Sequence, residues 1–170
     1  MQIIVSTLFL LLIHHGTSIY VGDWETGSPR RRSTRALDQF KSMVRCTTPH
    51  RHVLEAYNGY GCWCGFGGGG NPVDETDRCC MNHDQCYSEA IKKHVCSNTD
   101  VYIARYEFAT TECRSDAASI TCIEGSTNHP SHRKCALEIC ECDSQAALCF
   151  KTSSYDSKFL DHDRSACKAE

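Results

Sequence analysis

No apolar run in these 170 residues reaches the roughly 18 to 20 that cross a bilayer as a helix, so no membrane-spanning helix is expected. There is no Gly-x-Ser-x-Gly elbow, which excludes the nucleophilic serine of an α/β-hydrolase. There is no EF-hand loop of alternating Asp and Asn, so any calcium site must be built another way. No internal repeat occurs, which excludes a solenoid. A positive excess is also missing, since the formal net charge is −3. Residues 36 to 170 alone hold 14 Lys+Arg against 19 Asp+Glu, a net charge of −5. A mildly acidic domain is a poor generic binder of nucleic acid, and none is expected as a partner.

Cysteine is abundant instead. Fourteen residues run from Cys46 to Cys167, an even number that signals an oxidising compartment and a secreted product. Ile3 to Ile13 is apolar over the length of a signal-peptide core, although no basic residue precedes it, and Gly16-Thr17-Ser18 places cleavage near Ser18. Residues 1–18 are thus read as a signal peptide. Residues 19–35 lose apolar periodicity and end in Arg30-Arg31-Arg32-Ser33-Thr34-Arg35 before the small Ala36. This suits a propeptide cut after Arg35 by a trypsin-like or furin-like protease; a solvated basic linker or nucleic-acid patch is the competing reading. The remainder, 36–170, is of single-domain length.

Three amphipathic helices are predicted by period. Leu37, Phe40, Met43 and Val44 make one stripe from Ala36 to Arg45. Cys79, Cys80, His83, Cys86, Tyr87, Ala90 and Ile91 make a second between Glu75 and about His94, with Asp74 as N-cap after Pro72. Cys135, Ile139, Cys142, Ala146 and Cys149 make a third up to Phe150. Between the last two, Val101-Tyr102-Ile103, Tyr106-Glu107-Phe108 and Ser119-Ile120-Thr121 leave room for a two-stranded hairpin and a loop at Gly125 to Pro130. Helices whose inner faces are partly cysteine point to cross-linking in place of a larger apolar core.

Gly65, Gly67, Gly68, Gly69 and Gly70 allow backbone turns closed to other residues, so successive carbonyls can face one centre. Carbonyls plus a carboxylate form a hard oxygen cage suited to calcium, with Asp84 as the charged ligand. A mobile linker is the alternative, but Cys62 and Cys64 pin one side and Cys79-Cys80 the other. His83 precedes Asp84, so on a helix their side chains diverge by about 100° and can flank a site without competing. An imidazole that titrates near neutrality suits a general base on water, against the reading of a structural histidine.

Tyr60-Gly61-Cys62-Trp63-Cys64-Gly65-Phe66-Gly67-Gly68, then Pro72-x-Asp74, then Asp77-Arg78-Cys79-Cys80-x-x-His83-Asp84-x-Cys86-Tyr87, resembles the signature of secreted phospholipase A2. Cys140-Glu141-Cys142-Asp143 and Ala146-Ala147-Leu148-Cys149-Phe150 resemble that family's second helix motif, and the cysteine set is like that of its pancreatic, group I branch. The resemblance implies a mainly α, disulfide-rich fold. Two long antiparallel disulfide-linked helices, an N-terminal amphipathic helix, a calcium-binding loop and a small two-stranded β-wing would compose it. It implies the pairs Cys62–Cys167, Cys64–Cys80, Cys79–Cys149, Cys86–Cys142, Cys46–Cys113, Cys96–Cys135 and Cys122–Cys140. It makes the carbonyls of Trp63, Gly65 and Gly67 calcium ligands with Asp84, His83 the base, and Asp143 its orienting partner. Tyr87 would support Asp143, and the Gly65 N–H would serve as oxyanion donor. The implied reaction is calcium-dependent hydrolysis of the sn-2 ester of a glycerophospholipid to lysophospholipid and fatty acid. The implied partner is a phospholipid membrane or micelle surface, met reversibly by a monomer, with a cell-surface receptor as a further partner. Ala36-Leu37-x-Gln39-Phe40 resembles the start of the mature enzymes, with Gln39 helping to tether the freed α-amino group.

Four positions depart from the pattern. Trp63 stands where the family usually has Tyr, and Asp38 replaces an aromatic at the rim. The second active-site tyrosine has no clean match, with Tyr106 a nearby candidate. The stretch Cys122 to Cys135 is longer, leaving His129, His132, Arg133 and Lys134 as either a partner surface or a solvated loop. Leu37, Phe40, Val44, Val53 and Leu54 are read as acyl-chain contacts or as ordinary core. Two competing functions are a catalytically weak receptor-binding or toxin-like relative, against which Asp84 argues, and a disulfide-rich structural module.

Overall fold

The computed structural model describes residues 36–125 and 129–167, all within one compact unit. The expected signal peptide and propeptide lie outside the described residues, as do positions 126–128 of the loop expected after Gly125.

The N-terminal stripe forms α1 (Ala36–Thr47), which buries Ala36, Met43, Val44 and Cys46. A short α2 (Val53–Tyr57) follows, turning Val53 and Tyr57 inward. Asp74 caps α3 (Glu75–Lys92) by accepting from the Asp77 N–H, and Glu75 and Asp77 place negative charge at the positive end of the helix dipole. The last helix, α5 (Pro130–Thr152), begins five residues earlier than its apolar stripe. Pro130 suits a first helical position because the N–H it lacks would have no intrahelical partner. His132 and Lys134 therefore stand on exposed helical turns, and much of the added length before Cys135 is helix.

Val101-Tyr102-Ile103 is not strand-like: it belongs to a helical turn, α4 (Asp100–Ile103), with Val101 buried beneath it. The wing consists of β1 (Glu107–Thr111) and β2 (Ser119–Ile123), antiparallel, with Glu107 opposite Ile123 and Thr111 opposite Ser119. Two 3₁₀ turns, Ser157–Phe159 and Arg164–Cys167, carry the chain back across the glycine loop.

Seven disulfides take up all fourteen cysteines, in the pairs that the resemblance implies. Cys79–Cys149 and Cys86–Cys142 clamp α3 to α5. Moving seven residues forward along α3 moves seven back along α5, so the helices run antiparallel. Cys46–Cys113 ties α1 to the wing turn, and Cys122–Cys140 ties β2 to α5. Each bridge contributes about 2 to 4 kcal/mol, not additively, by restricting the unfolded chain. The apolar core they reinforce is small, and Met43, Val44, Tyr60, Ala90, Val101, Ile139 and Ala147 are among its fully buried members. No helix among the described residues is long and apolar enough to cross a membrane.

Candidate functional site

The two α3–α5 bridges bracket a polar cluster. His83 Nε2 lies 2.7 Å from Asp143 Oδ1, across the seam between the helices. Tyr87, one turn beyond His83, donates its hydroxyl to the same oxygen at 2.8 Å, and Tyr106 donates to Oδ2. Asp143 is fully buried, and a carboxylate removed from water is tolerable only when its lone pairs are filled. Three donors occupy both of its oxygens. Burial, and then the Asp143 charge, push the Tyr87 and Tyr106 phenols far above their ordinary range, so both remain protonated donors.

With the Nε2 proton facing the carboxylate, Nδ1 of His83 is left as the basic nitrogen. The imidazole retains some solvent access, at 15% exposure. Phe40 stacks on it with centroids 4.6 Å apart and planes 13° apart. The neighbouring Gln39 donates to the Tyr106 carbonyl and accepts from its N–H, at 3.3 Å for the latter. Helix α1 thus braces both the imidazole and one of the tyrosines. Tyr106, an unassigned candidate by sequence, completes the shell around Asp143.

The glycine loop is tied to α3 by Cys64–Cys80, one turn before Asp84, and its carbonyls alternate in their bonding. The carbonyl of Cys62 accepts from the Gly69 N–H, and that of Cys64 from Gly59 N–H. Arg164 donates to the carbonyls of Cys64 and Phe66 at 2.9 and 2.7 Å. Among the described residues, the carbonyls of Trp63, Gly65 and Gly67 accept no hydrogen bond. Positive φ at Gly65 (103°) and Gly67 (78°) lets the chain alternate in this way, which a side chain would resist. Asp77 anchors the loop's start: its buried carboxylate accepts from the N–H groups of Cys62, Trp63 and Val73. The Trp63 indole N–H donates across the loop to the Gly70 carbonyl at 3.0 Å, which gives the unusual tryptophan a role of its own.

Asp84 lies half-buried one residue past His83, and among the described residues its carboxylate accepts no hydrogen bond. Burial raises its pKa, with His83 and Arg164 acting in the other direction. Three carbonyl oxygens without a donor and one carboxylate that accepts no hydrogen bond among the described residues form a donor set that fits a hard divalent cation such as calcium. A second cluster, Cys62, His162 and Cys167, gathers its ligand atoms within 4.8 Å. Both of its sulfurs are spent in the Cys62–Cys167 disulfide, so it offers no thiolate to a metal.

The five apolar residues read as acyl contacts or core divide. Leu37 and Leu54 are exposed, Phe40 lies against His83, and Val44 and Val53 are buried in the core. Phe66, on the glycine loop, is 92% exposed. Asp38 forms an ion pair with Lys41 at 2.9 Å. Arg164 is the site residue that no sequence motif marks.

Fold and site together define a class: a disulfide-clamped helix pair carrying a His–Asp pair, with a glycine loop bridged to the first of those helices. Residues 37–160 match the family model described as phospholipase A2, and the chain belongs to that family. It is 39% identical over 129 residues to the phospholipase A2 of Oryctolagus cuniculus, covering 75% of this chain and 82% of that one. It is 38% identical over 137 residues to the phospholipase A2 of Bos taurus, covering 79% and 87%. It is 43% identical over 119 residues to the acidic phospholipase A2 CM-II of Aspidelaps scutatus, covering 70% and 87%.

Proposed function

We propose that the protein is a secreted, calcium-dependent phospholipase A2 of the pancreatic-like branch, releasing the sn-2 fatty acid of glycerophospholipids at a membrane or micelle surface. The observation that carries this is the His83–Asp143 pair at 2.7 Å on a helix bridged by Cys64–Cys80 to a loop whose Trp63, Gly65 and Gly67 carbonyls accept no hydrogen bond among the described residues.

His83 Nδ1 takes a proton from a water, which attacks the ester carbonyl while the imidazole becomes a cation. Asp143 holds the ring in the required tautomer and stabilises that cation, as orienting carboxylates do in other His-based hydrolases. The Gly65 N–H donates to the developing oxyanion, and the imidazolium then returns its proton to the leaving glycerol oxygen. Trp63, Gly65 and Gly67, through their carbonyls, and Asp84, through its carboxylate, hold calcium. Bound there, calcium supplies Lewis acidity toward the ester carbonyl and charge for the phosphate.

The mature chain starts at Ala36 after removal of residues 1–18 and then 19–35. The basic run Arg30-Arg31-Arg32-Ser33-Thr34-Arg35 directly before the small Ala36 supports that start. Fatty-acid release from phosphatidylcholine vesicles, with calcium and with chelator, tests the reading on protein beginning at Ala36. Release that persists with chelator, or that never occurs with calcium, overturns it.

A further inference from the structure

The glycine loop takes two hydrogen bonds from a side chain at the far end of the described chain. Arg164 reaches back about a hundred positions, and two different guanidinium nitrogens take two carbonyls of one short loop: Nη2 donates to Cys64 at 2.9 Å and Nη1 to Phe66 at 2.7 Å. The fork geometry matters. Guanidinium donors are fixed in a plane, so binding two alternate carbonyls sets both their spacing and the direction in which they point.

Each peptide here is trans and planar, so a carbonyl and the N–H that follows it point in opposite directions. Holding the Cys64 carbonyl, which also accepts from the Gly59 N–H, turns the Gly65 N–H to the opposite side of the chain. Holding the Phe66 carbonyl does the same for the Gly67 N–H. Both of these N–H groups, and the carbonyls of Trp63, Gly65 and Gly67, bond to nothing else among the described residues. A carbonyl that accepts from a cation also polarises its own peptide, which makes the N–H on the opposite side a stronger donor.

The anchor for this arm is firm. Cys167 closes the same 3₁₀ turn and is bridged to Cys62, the residue before Trp63. Gly70 packs on the Cys167 backbone so closely that a Cβ would fall 1.4 Å from its carbonyl oxygen. The turn bearing Arg164 and the loop it grips are therefore fastened at two further points.

We propose that Arg164 is a positioning residue for the active site, holding the Cys64 and Phe66 carbonyls to one side so that the Gly65 N–H and the carbonyls of Trp63, Gly65 and Gly67 are turned toward His83 and Asp84. This rests on the reading of that loop as the calcium and oxyanion loop. Lysine cannot substitute, because a single ammonium does not span both carbonyls in fixed directions.

The test compares protein beginning at Ala36 with its Arg164→Lys and Arg164→Gln variants. Trp63 is the single tryptophan beyond Arg35, so its fluorescence reports calcium binding at the loop itself. Both variants are expected to raise the calcium Kd about tenfold and to lower kcat on phosphatidylcholine about tenfold, with KM changing less. With calcium absent, amide exchange at residues 63–69 is expected to accelerate in both, while the α3 and α5 amides keep their rates. A Lys variant that matches the parent would reduce the effect to charge and overturn the proposal. Unchanged loop exchange together with Kd and kcat within twofold of the parent would also overturn it. If the parent neither binds calcium nor releases fatty acid, the functional reading fails, and the exchange comparison still decides whether Arg164 sets the loop.

Discussion

Tyr106 donates its hydroxyl to Oδ2 of Asp143 from 37 positions away, while His83 and Tyr87 occupy Oδ1. The buried carboxylate is thereby divided, with one oxygen shared by α3 and the other held by the segment leading into the wing. Both tyrosines hold the carboxylate that meets the imidazole, so the pair is oriented by the fold itself. Such preorganisation costs nothing at the moment of reaction.

The dyad reading predicts distinct losses for its two members. His83→Gln should abolish fatty-acid release while calcium-induced Trp63 fluorescence remains. Asp143→Asn should lower kcat by about 10⁴-fold, the scale found when an orienting carboxylate becomes an amide. Turnover within tenfold of the parent for either variant would remove that residue from the mechanism.

Tyr87→Phe and Tyr106→Phe each remove one donor from a buried charge. Hydrogen bonds to charged groups are worth about 1.5 to 3 kcal/mol, so each variant should lose about that much stability in urea at neutral pH. The double variant should lose more than the sum, since Asp143 would keep only His83. Losses below about 0.5 kcal/mol would show that water replaces the missing donors.

Alkaline pH should destabilise the fold through its tyrosines. Burial lifts the Tyr57 phenol to about 12 and raises Tyr60, Tyr87 and Tyr106 as well. Unfolded tyrosines ionise near pH 10. The contribution is complete below about pH 10 and declines above it, because the unfolded chain then releases protons that the folded one retains. The decline per tyrosine is at most about 1.4 kcal/mol per pH unit. Phenolate absorbance measures it directly, and titration of every tyrosine near pH 10 in the folded protein would refute it.

Contact with lipid can be read separately from chemistry at Phe66, whose ring is 92% exposed while its carbonyl is held by Arg164. Burying a phenylalanine side chain yields about 1.5 to 3 kcal/mol, so Phe66→Glu should weaken partition onto phosphatidylcholine vesicles by about tenfold or more. Hydrolysis of a short-chain, monomeric substrate should be nearly unchanged. Equal vesicle partition by parent and variant would place the membrane contact elsewhere.

Periodicity in α3 was legible because its cysteines and His83 repeat every three or four residues on one buried face, and Asp74 marks the start by capping chemistry. The start of α5 was hidden because the turns before Cys135 are polar and exposed, so no stripe announces them. Helix α4 was hidden for the opposite reason: Val101-Tyr102-Ile103 carries β-branched and aromatic residues, which read locally as strand, and its contacts with the core override that preference. Tyr106 could be named only as a candidate, since spacing from Cys113 does not determine where a hydroxyl points.

The chemistry of the chain was set by its sequence: a histidine and carboxylates able to share a proton, glycines able to turn carbonyls, and enough cysteine to staple a small core. Periodicity fixes which side of each helix those groups occupy, because side-chain direction follows from local backbone geometry. Which partners meet was decided only in three dimensions. Tyr106 reaching Asp143 and Arg164 gripping the glycine loop depend on chain paths set by packing and seven bridges, and these long-range placements leave no local signal in the residues that make them.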